Sequence, residues 1–303
     1  MFLISDAKLT TAVCQAGGTG AFPALNFRPV ERLREEIRKV KAATSVPFGI
    51  NVIVQESNKH RDQQIEVCLE EKIGFFISSL GNPTDLIKKA RAAGVKVFCD
   101  VVNEKHAQKA VDAGADGLVA VSSGAGGHAG EMSAFALIPR LKEKFSVPII
   151  AAGSIVNGRT MLSALALGAD AVYLGTRFIA SEEADAAPEY KQAIVNASMD
   201  DIVNTDRVDG FPGNFIRTGN FRKLVPDPNL VERALRLSSK FEKSWRLYKA
   251  GKSLFEKPTK LKASYRTVFS AGHGVGLIKD IKPAQTIVHQ LAEEYWVAKK
   301  ALP

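Results

Sequence analysis

Ala113-Gly114-Ala115-Asp116-Gly117-Leu118-Val119-Ala120-Val121 runs straight into Ser122-Ser123-Gly124-Ala125-Gly126-Gly127-His128-Ala129-Gly130. The first stretch closes a helix at a glycine and opens a strand. The run Gly117-Leu118-Val119-Ala120-Val121 does not alternate apolar with polar residues, as expected of a parallel strand covered on both faces. The same junction recurs as Leu167-Gly168-Ala169-Asp170 before Ala171-Val172-Tyr173-Leu174. A repeated helix-stop and buried-strand junction is the signature of alternating βα units.

Working outward, the alternation covers residues 1 to 180. Expected strands are Phe2-Leu3-Ile4, Thr19-Gly20-Ala21-Phe22, Phe48-Gly49-Ile50-Asn51-Val52, Phe75-Phe76-Ile77-Ser78, residues 95–101, residues 117–121, Pro148-Ile149-Ile150-Ala151-Ala152 and residues 171–174. Helical periodicity separates them, with Val30, Leu33, Ile37 and Val40 on one face of the first long helix. Eight strands alternating with helices predict a (β/α)8 TIM barrel, at the compact end for that fold. An open doubly wound sheet is the alternative, but no G-x-G-x-x-G follows the first strand. That first strand begins at Met1, where a barrel strand normally has residues before it.

Past residue 180 the alternation stops. Residues 188–197, 230–249 (with Leu235, Phe241 and Trp245) and 283–300 read as helices, and residues 209–215 as a Gly/Pro/Asn-rich loop. The division expected is a barrel over 1–180 and a mainly helical cap over 181–303.

Composition narrows the function. Of 303 residues, 46% are hydrophobic and 24% charged, as in globular proteins. No apolar run approaches the ~20 residues of a membrane span, and the N-terminus has no basic stretch of the signal-peptide kind. Cys14, Cys68 and Cys99 are widely spaced, which suits free buried thiols and a cytoplasmic location. The net charge of +9 resides mostly on polar helix faces such as Arg32, Arg34, Arg38, Lys39 and Lys41, so no nucleic-acid surface is expected.

A barrel of this kind places its site at the C-terminal ends of the strands, with phosphate after strands seven and eight. Those ends are Ala151-Ala152-Gly153-Ser154 and Leu174-Gly175-Thr176-Arg177. Both are small-residue turns leading toward a helix, where backbone N–H groups receive anions. His128 stands on the glycine-rich turn after the sixth expected strand and is the candidate acid–base group. His60, His106, His273 and His289 read as surface or structural. Asn51 and Asp100 interrupt buried strands. Asn51 suits either a core hydrogen bond or a ring edge, and Asp100 a salt bridge or cap. No spacing suggests a metal site or a covalent nucleophile.

Three strings, Ala125-Gly126-Gly127-His128-Ala129-Gly130, Ile150-Ala151-Ala152-Gly153-Ser154-Ile155 and Ala169-Asp170-Ala171-Val172-Tyr173-Leu174-Gly175-Thr176-Arg177-Phe178, resemble the nitronate monooxygenase family. That family was formerly called 2-nitropropane dioxygenase and includes FMN-dependent enoyl-acyl-carrier-protein reductases. The resemblance runs from Met1 to Phe178. It implies a TIM barrel carrying FMN, with Asn51 on the flavin, Ser122 and Gly127 approaching it, and Gly153 with Tyr173, Leu174, Gly175 and Thr176 at the phosphate. It also implies His128 as catalytic base. Many members have Glu-Ala where this chain has Gly124-Ala125, which removes a carboxylate near the base. The implied reaction is oxidation of alkyl nitronates by O2 to carbonyl compounds and nitrite, on a small-molecule substrate, with a homo-oligomer left open. The alternatives are an NAD(P)H-dependent enoyl or quinone reductase and a non-catalytic flavin-binding module.

Overall fold

The Ala-Gly-Ala-Asp junction does the same job twice. Asp116 Oδ2 accepts from Val97 N at 2.8 Å, and Asp170 Oδ2 accepts from Ile149 N at 2.8 Å. The backbone N–H of each aspartate returns a bond to the carbonyl of that same residue, so two neighbouring strands are clamped where they begin. Gly114 and Gly168, at φ +91° and +102°, take the left-handed turn that lets each helix end there.

The computed structural model describes residues 1–225 and 267–302, so the expected helix with Leu235, Phe241 and Trp245 lies outside the described residues. Seven strands form one parallel sheet in the order β1 (Ala21–Pro23), β2 (Gly49–Ile53), β3 (Phe75–Ser79), β4 (Lys96–Val101), β5 (Gly117–Val121), β7 (Ile149–Ala152) and β8 (Ala171–Tyr173). The intervening β6 (Gly127–His128) belongs to a second sheet. Helices alternate with the strands: α1 (Ala7–Gln15), α2 (Val30–Ala43), α3 (Arg61–Glu70), α4 (Thr84–Ala92), α5 (Glu104–Asp112), α6 (Ala134–Lys144), α7 (Gly158–Ala166) and the short α8 (Thr176–Ile179). On α2, Leu33, Ile37 and Val40 are fully buried, while Val30 at the helix start is only half-buried. Phe22, Ile50, Phe76, Leu118 and Ile149 fill the core between sheet and helices. Each contributes about 1.5–3 kcal/mol of apolar burial. This is the expected α/β barrel.

The first expected strand is the exception. Phe2-Leu3-Ile4 is a turn: Leu3 lies at φ +60°, and both Ile4 N and Ser5 N donate to Met1 O. Asn26 explains the outcome. Its side chain accepts from Leu3 N at 2.8 Å and donates to Ser5 O at 2.9 Å. Asp6 caps α1 by accepting from Leu9 N, which ends the segment before a strand can form. Met1 packs near Gly175, so this turn stands between the sheet's two edge strands.

The extension carries strands as well as helices. After α9 (Pro188–Asn196) come β9 (Ile202–Thr205) and β10 (Gly213–Ile216), an antiparallel pair, and then α10 (Gly219–Leu224). The residues read as a loop over 209–215 therefore divide, with a turn through Pro212 and a strand from Gly213. The last described helix, Ala284–Lys300, packs on α7 and α1. Among the described residues no helix is long and apolar enough to cross a membrane.

Candidate active site

The loop after β5 is held from two sides. Its residues Gly127 and His128 form β6, which pairs with Asn214 and Gly213 of β10. Asn214 is fully buried, and its Nδ2 donates to Ser123 O at 2.8 Å and Ala125 O at 2.7 Å. From the other side, residues 270–274 press on the loop, with His273 N donating to Gly124 O. A Cβ on Gly126 would lie 2.8 Å from the backbone of Ala271 and Gly272. Gly127 itself sits at φ +69°, a conformation that turns the chain into His128 at little cost only for glycine. The glycines of this loop thus have a structural reason inside the chain.

This packing carries a carboxylate onto the histidine. Asp209, in the β9–β10 turn, is buried, and its Oδ2 stands 2.7 Å from His128 Nε2. Its Oδ1 accepts from Phe211 N at 3.2 Å, which fixes the carboxyl plane. Phe211 meets the imidazole edge-on at 5.6 Å between centroids. A carboxylate only accepts hydrogen bonds, so the bonded Nε2 carries a proton. The carboxylate missing at Gly124 is thus supplied at His128 from elsewhere in the chain. Sequence reasoning missed Asp209; its signal is Asp209-Gly210 between the β-branched run at 202–205 and Phe215-Ile216, a hairpin pattern.

His128 and Asp209 line a cavity of about 1760 Å³ at the C-terminal ends of the strands. Of the expected residues, Asn51, Gly127, Gly153, Tyr173, Leu174, Gly175 and Thr176 line it too. Ser122 does not: it is 2% exposed, and its Oγ donates to Ala152 O at 3.1 Å, tying β5 to β7. The other four histidines are exposed.

The turn after β7 departs from expectation in detail. α7 starts only at Gly158, whose N–H donates to Glu294 Oε2 at 2.8 Å, while Asn157 caps Thr160 N. A protein carboxylate already takes that helix start. What faces the cavity is the turn itself, Gly153 at φ +118° and Ser154 at φ +56°. Leu3 and Leu80 are the other non-glycine cavity residues with left-handed backbone, beside Gly81 and Gly127. Such conformations persist where the surroundings enforce them, and they cluster at binding sites.

Across the cavity, Asn51 Nδ2 donates to Ser79 Oγ at 2.6 Å, and Ser79 Oγ donates to Asp100 Oδ2. Asp100 therefore makes neither the salt bridge nor the cap expected of it. Burial pushes its carboxyl up to about 6, against the Ser79 bond and the facing Met1 ammonium. Burial also pushes the Tyr173 phenol up, with Asp100 adding to the effect. Among the described residues no group of His, Cys, Asp and Glu is placed to hold a metal ion.

The sequence model of the nitronate monooxygenase family matches residues 1–294. The chain belongs to the nitronate monooxygenase family. It is a flavin-dependent oxidoreductase. Among its relatives, (3aS,4S,5R,7aS)-5-hydroxy-7a-methyl-1-oxo-octahydro-1H-indene-4-carboxyl-CoA dehydrogenase of Rhodococcus jostii is 30% identical over 242 residues, 79% of this chain and 67% of the relative. A probable nitronate monooxygenase of Staphylococcus aureus is 28% identical over 247 residues, 67% of this chain and 69% of the relative. FabK from Thermotoga maritima superposes with a TM-score of 0.82 at 33% identity, over 99% of this chain and 92% of that one. Nitroalkane oxidase from Streptomyces ansochromogenes shares the fold, with a TM-score of 0.79 at 24% identity over 99% and 94% of the chains. The site fits a flavin of this family on the structure's own terms. Asp100 Oδ1 is closed to solvent in the cavity wall without a donor among the described residues, and Gly153 and Ser154, both at positive φ, line the cavity.

Proposed function

We propose that the chain is an FMN-dependent nitronate monooxygenase. It oxidises alkyl nitronates, and nitroalkanes once deprotonated, with O2 to carbonyl compounds and nitrite. The observation that carries the reading is the His128–Asp209 pair in the cavity wall. A histidine braced by a carboxylate is built to accept a proton and to stabilise the imidazolium that results.

The residues divide the work. The turns at Gly153 and at Leu174, Gly175 and Thr176 hold the phosphate, Asn51 meets the flavin ring, and Gly127 brings the backbone close to it. FMN, when bound, supplies the electron acceptor beside the substrate. His128 takes the α-proton of a neutral nitroalkane, and the bond from Nε2 to Asp209 Oδ2 strengthens as the ring becomes positive. Val208, Phe211 and Pro212 line the same side and limit water at the base. His128→Asn tests the role. It should keep FMN and lose about 10²–10⁴-fold in turnover of neutral nitroalkanes, the usual contribution of a general base. Unchanged turnover on both nitroalkanes and nitronates would remove His128 from the chemistry.

A second reading is favoured by cavity size. About 1760 Å³ exceeds the 300–1,000 Å³ common for small-ligand sites, and it reaches out past Asn103 to Lys109. The R. jostii relative is named for a carboxyl-CoA substrate. Room for an acyl thioester supports the alternative, an NAD(P)H-dependent enoyl-acyl-carrier-protein or quinone reductase, in substrate size alone, the relative itself being named a dehydrogenase. Anaerobic mixing separates the two: bleaching of the flavin by NADH or NADPH supports the reductase, and bleaching by nitronate alone supports the oxygenase.

A further inference from the structure

Asp100 is a titratable group of the cavity wall that this chemistry leaves unused. It stands on β4 between buried Cys99 and Val101. Asn51, Ser79 and Asp100 form a hydrogen-bonded row across β2, β3 and β4, and all three line the cavity. The row ends at Asp100 Oδ1, which is closed to solvent and has no hydrogen-bond partner among the described residues. An ionised oxygen so placed carries an uncompensated desolvation penalty. A protonated one becomes a donor in need of an acceptor.

The groups facing Asp100 do not remove that penalty. The Met1 ammonium approaches from the N-terminal turn and favours ionisation, but burial pushes its own value down to about 6. Tyr173 on β8 and Cys99 on β4 feel the carboxyl as well, and burial pushes both upward, so neither is charged near neutral pH. Ser79 donates to Oδ2 and leaves Oδ1 untouched. The carboxyl itself is pushed up to about 6 by burial, which places its ionisation close to physiological pH.

We propose that Asp100 is a proton-dependent binding residue for the flavin ring, which holds the ring as the neutral acid through Oδ1–H and loosens it on ionisation. The proposal rests on the flavin site described above. Ring chemistry supports the neutral form. On the isoalloxazine edge N1, N5 and both carbonyl oxygens accept hydrogen bonds, and N3–H alone donates. Asn51, at the other end of the row, is the side chain already assigned to that ring.

The full chain, freed of flavin, is titrated with FMN and with riboflavin from pH 5 to 8 by quenching of flavin fluorescence. Riboflavin removes the phosphate, whose own ionisation near pH 6 strengthens binding in the opposite direction. Asp100→Asn keeps a donor at every pH. The expected result is a wild-type to Asp100→Asn ratio of Kd near one at pH 5, growing to about tenfold or more by pH 8. A ratio that stays constant or falls with pH overturns the role of Asp100 while leaving the flavin site standing. Failure of the wild type to bind either flavin at any pH overturns both. Because the variant could fold poorly, the wild type is also followed by infrared difference spectroscopy at pH 7. Flavin binding should raise a protonated-carboxyl C=O band, and its absence counts against the proposal.

Discussion

Replacing Asp209 by asparagine asks whether the base works alone. The amide keeps the size of the side chain, and its oxygen can still accept from Phe211 N, now at 3.2 Å, so the turn is preserved. What changes is the partner of His128 Nε2: with the amide oxygen on Phe211 N, the amide Nδ2 faces the ring and donates, so the charge-assisted bond is lost and Nε2 must accept. The bond is short, 2.7 Å, between side chains that are 32% and 11% exposed. A hydrogen bond to a charged partner is worth about 1.5–3 kcal/mol. The imidazole is a third exposed, which places this pair in the lower part of the range, at about 2 kcal/mol. At about 1.36 kcal/mol per decade, that is roughly 30-fold in kcat/KM. The assay compares oxygen uptake with a neutral nitroalkane and with the same compound ionised beforehand to its nitronate. The neutral form should lose roughly 30-fold, and the nitronate, whose proton has already left, less than about 3-fold. Equal losses on both forms, or none on the neutral form, would refute a role for Asp209 acting through His128.

Phe215→Ala should cost about 3–5 kcal/mol in denaturant unfolding, because the ring is fully buried against Phe221 in the hairpin's own core. Gly126→Ala should lower stability by about 1–3 kcal/mol, since the new methyl meets backbone atoms at 2.8 Å that cannot turn aside. Gly219→Ala, where nothing lies within 4 Å, should be neutral or stabilise by up to about 1 kcal/mol, and thermal unfolding compares the two. Asp100 titrates near 6 when folded and near 3.8 as a free carboxyl, so the folded chain holds a proton that the unfolded chain has lost between those values. Its contribution to stability therefore falls as pH rises from about 4 to about 6, by about 2–3 kcal/mol in total. Asp100→Asn should remove that fall in urea unfolding of the flavin-free chain at pH 4 and 7.

The strands were legible because burial on both faces leaves unbroken apolar runs, and Leu118, Val119 and Ala120 are almost fully buried. Phe2-Leu3-Ile4 carries the same composition and is not a strand. Its fate depends on Asn26, a tertiary contact that no local pattern records. His128 stood out because a glycine-rich turn at a strand end is a local signal. Asp209 did not, since an aspartate in a Gly/Pro turn 81 residues away looks like any solvated turn residue. Asp100 was visible as an interruption, but its missing partner was not. Ser122 was assigned through the family resemblance, and the structure uses its hydroxyl to join two strands.

The 81-position separation of His128 and Asp209 also sets an order of events at the ribosome. Every strand of the main sheet is synthesised before Asp209. At about 5–20 residues per second, the stretch from Thr176 to Asp209 takes roughly 2–7 s. During that interval the nascent chain carries the cavity turns after β7 and β8 but an unbraced histidine. The cavity turns and the carboxylate beside His128 are therefore acquired separately, and only a chain translated well past its barrel has both.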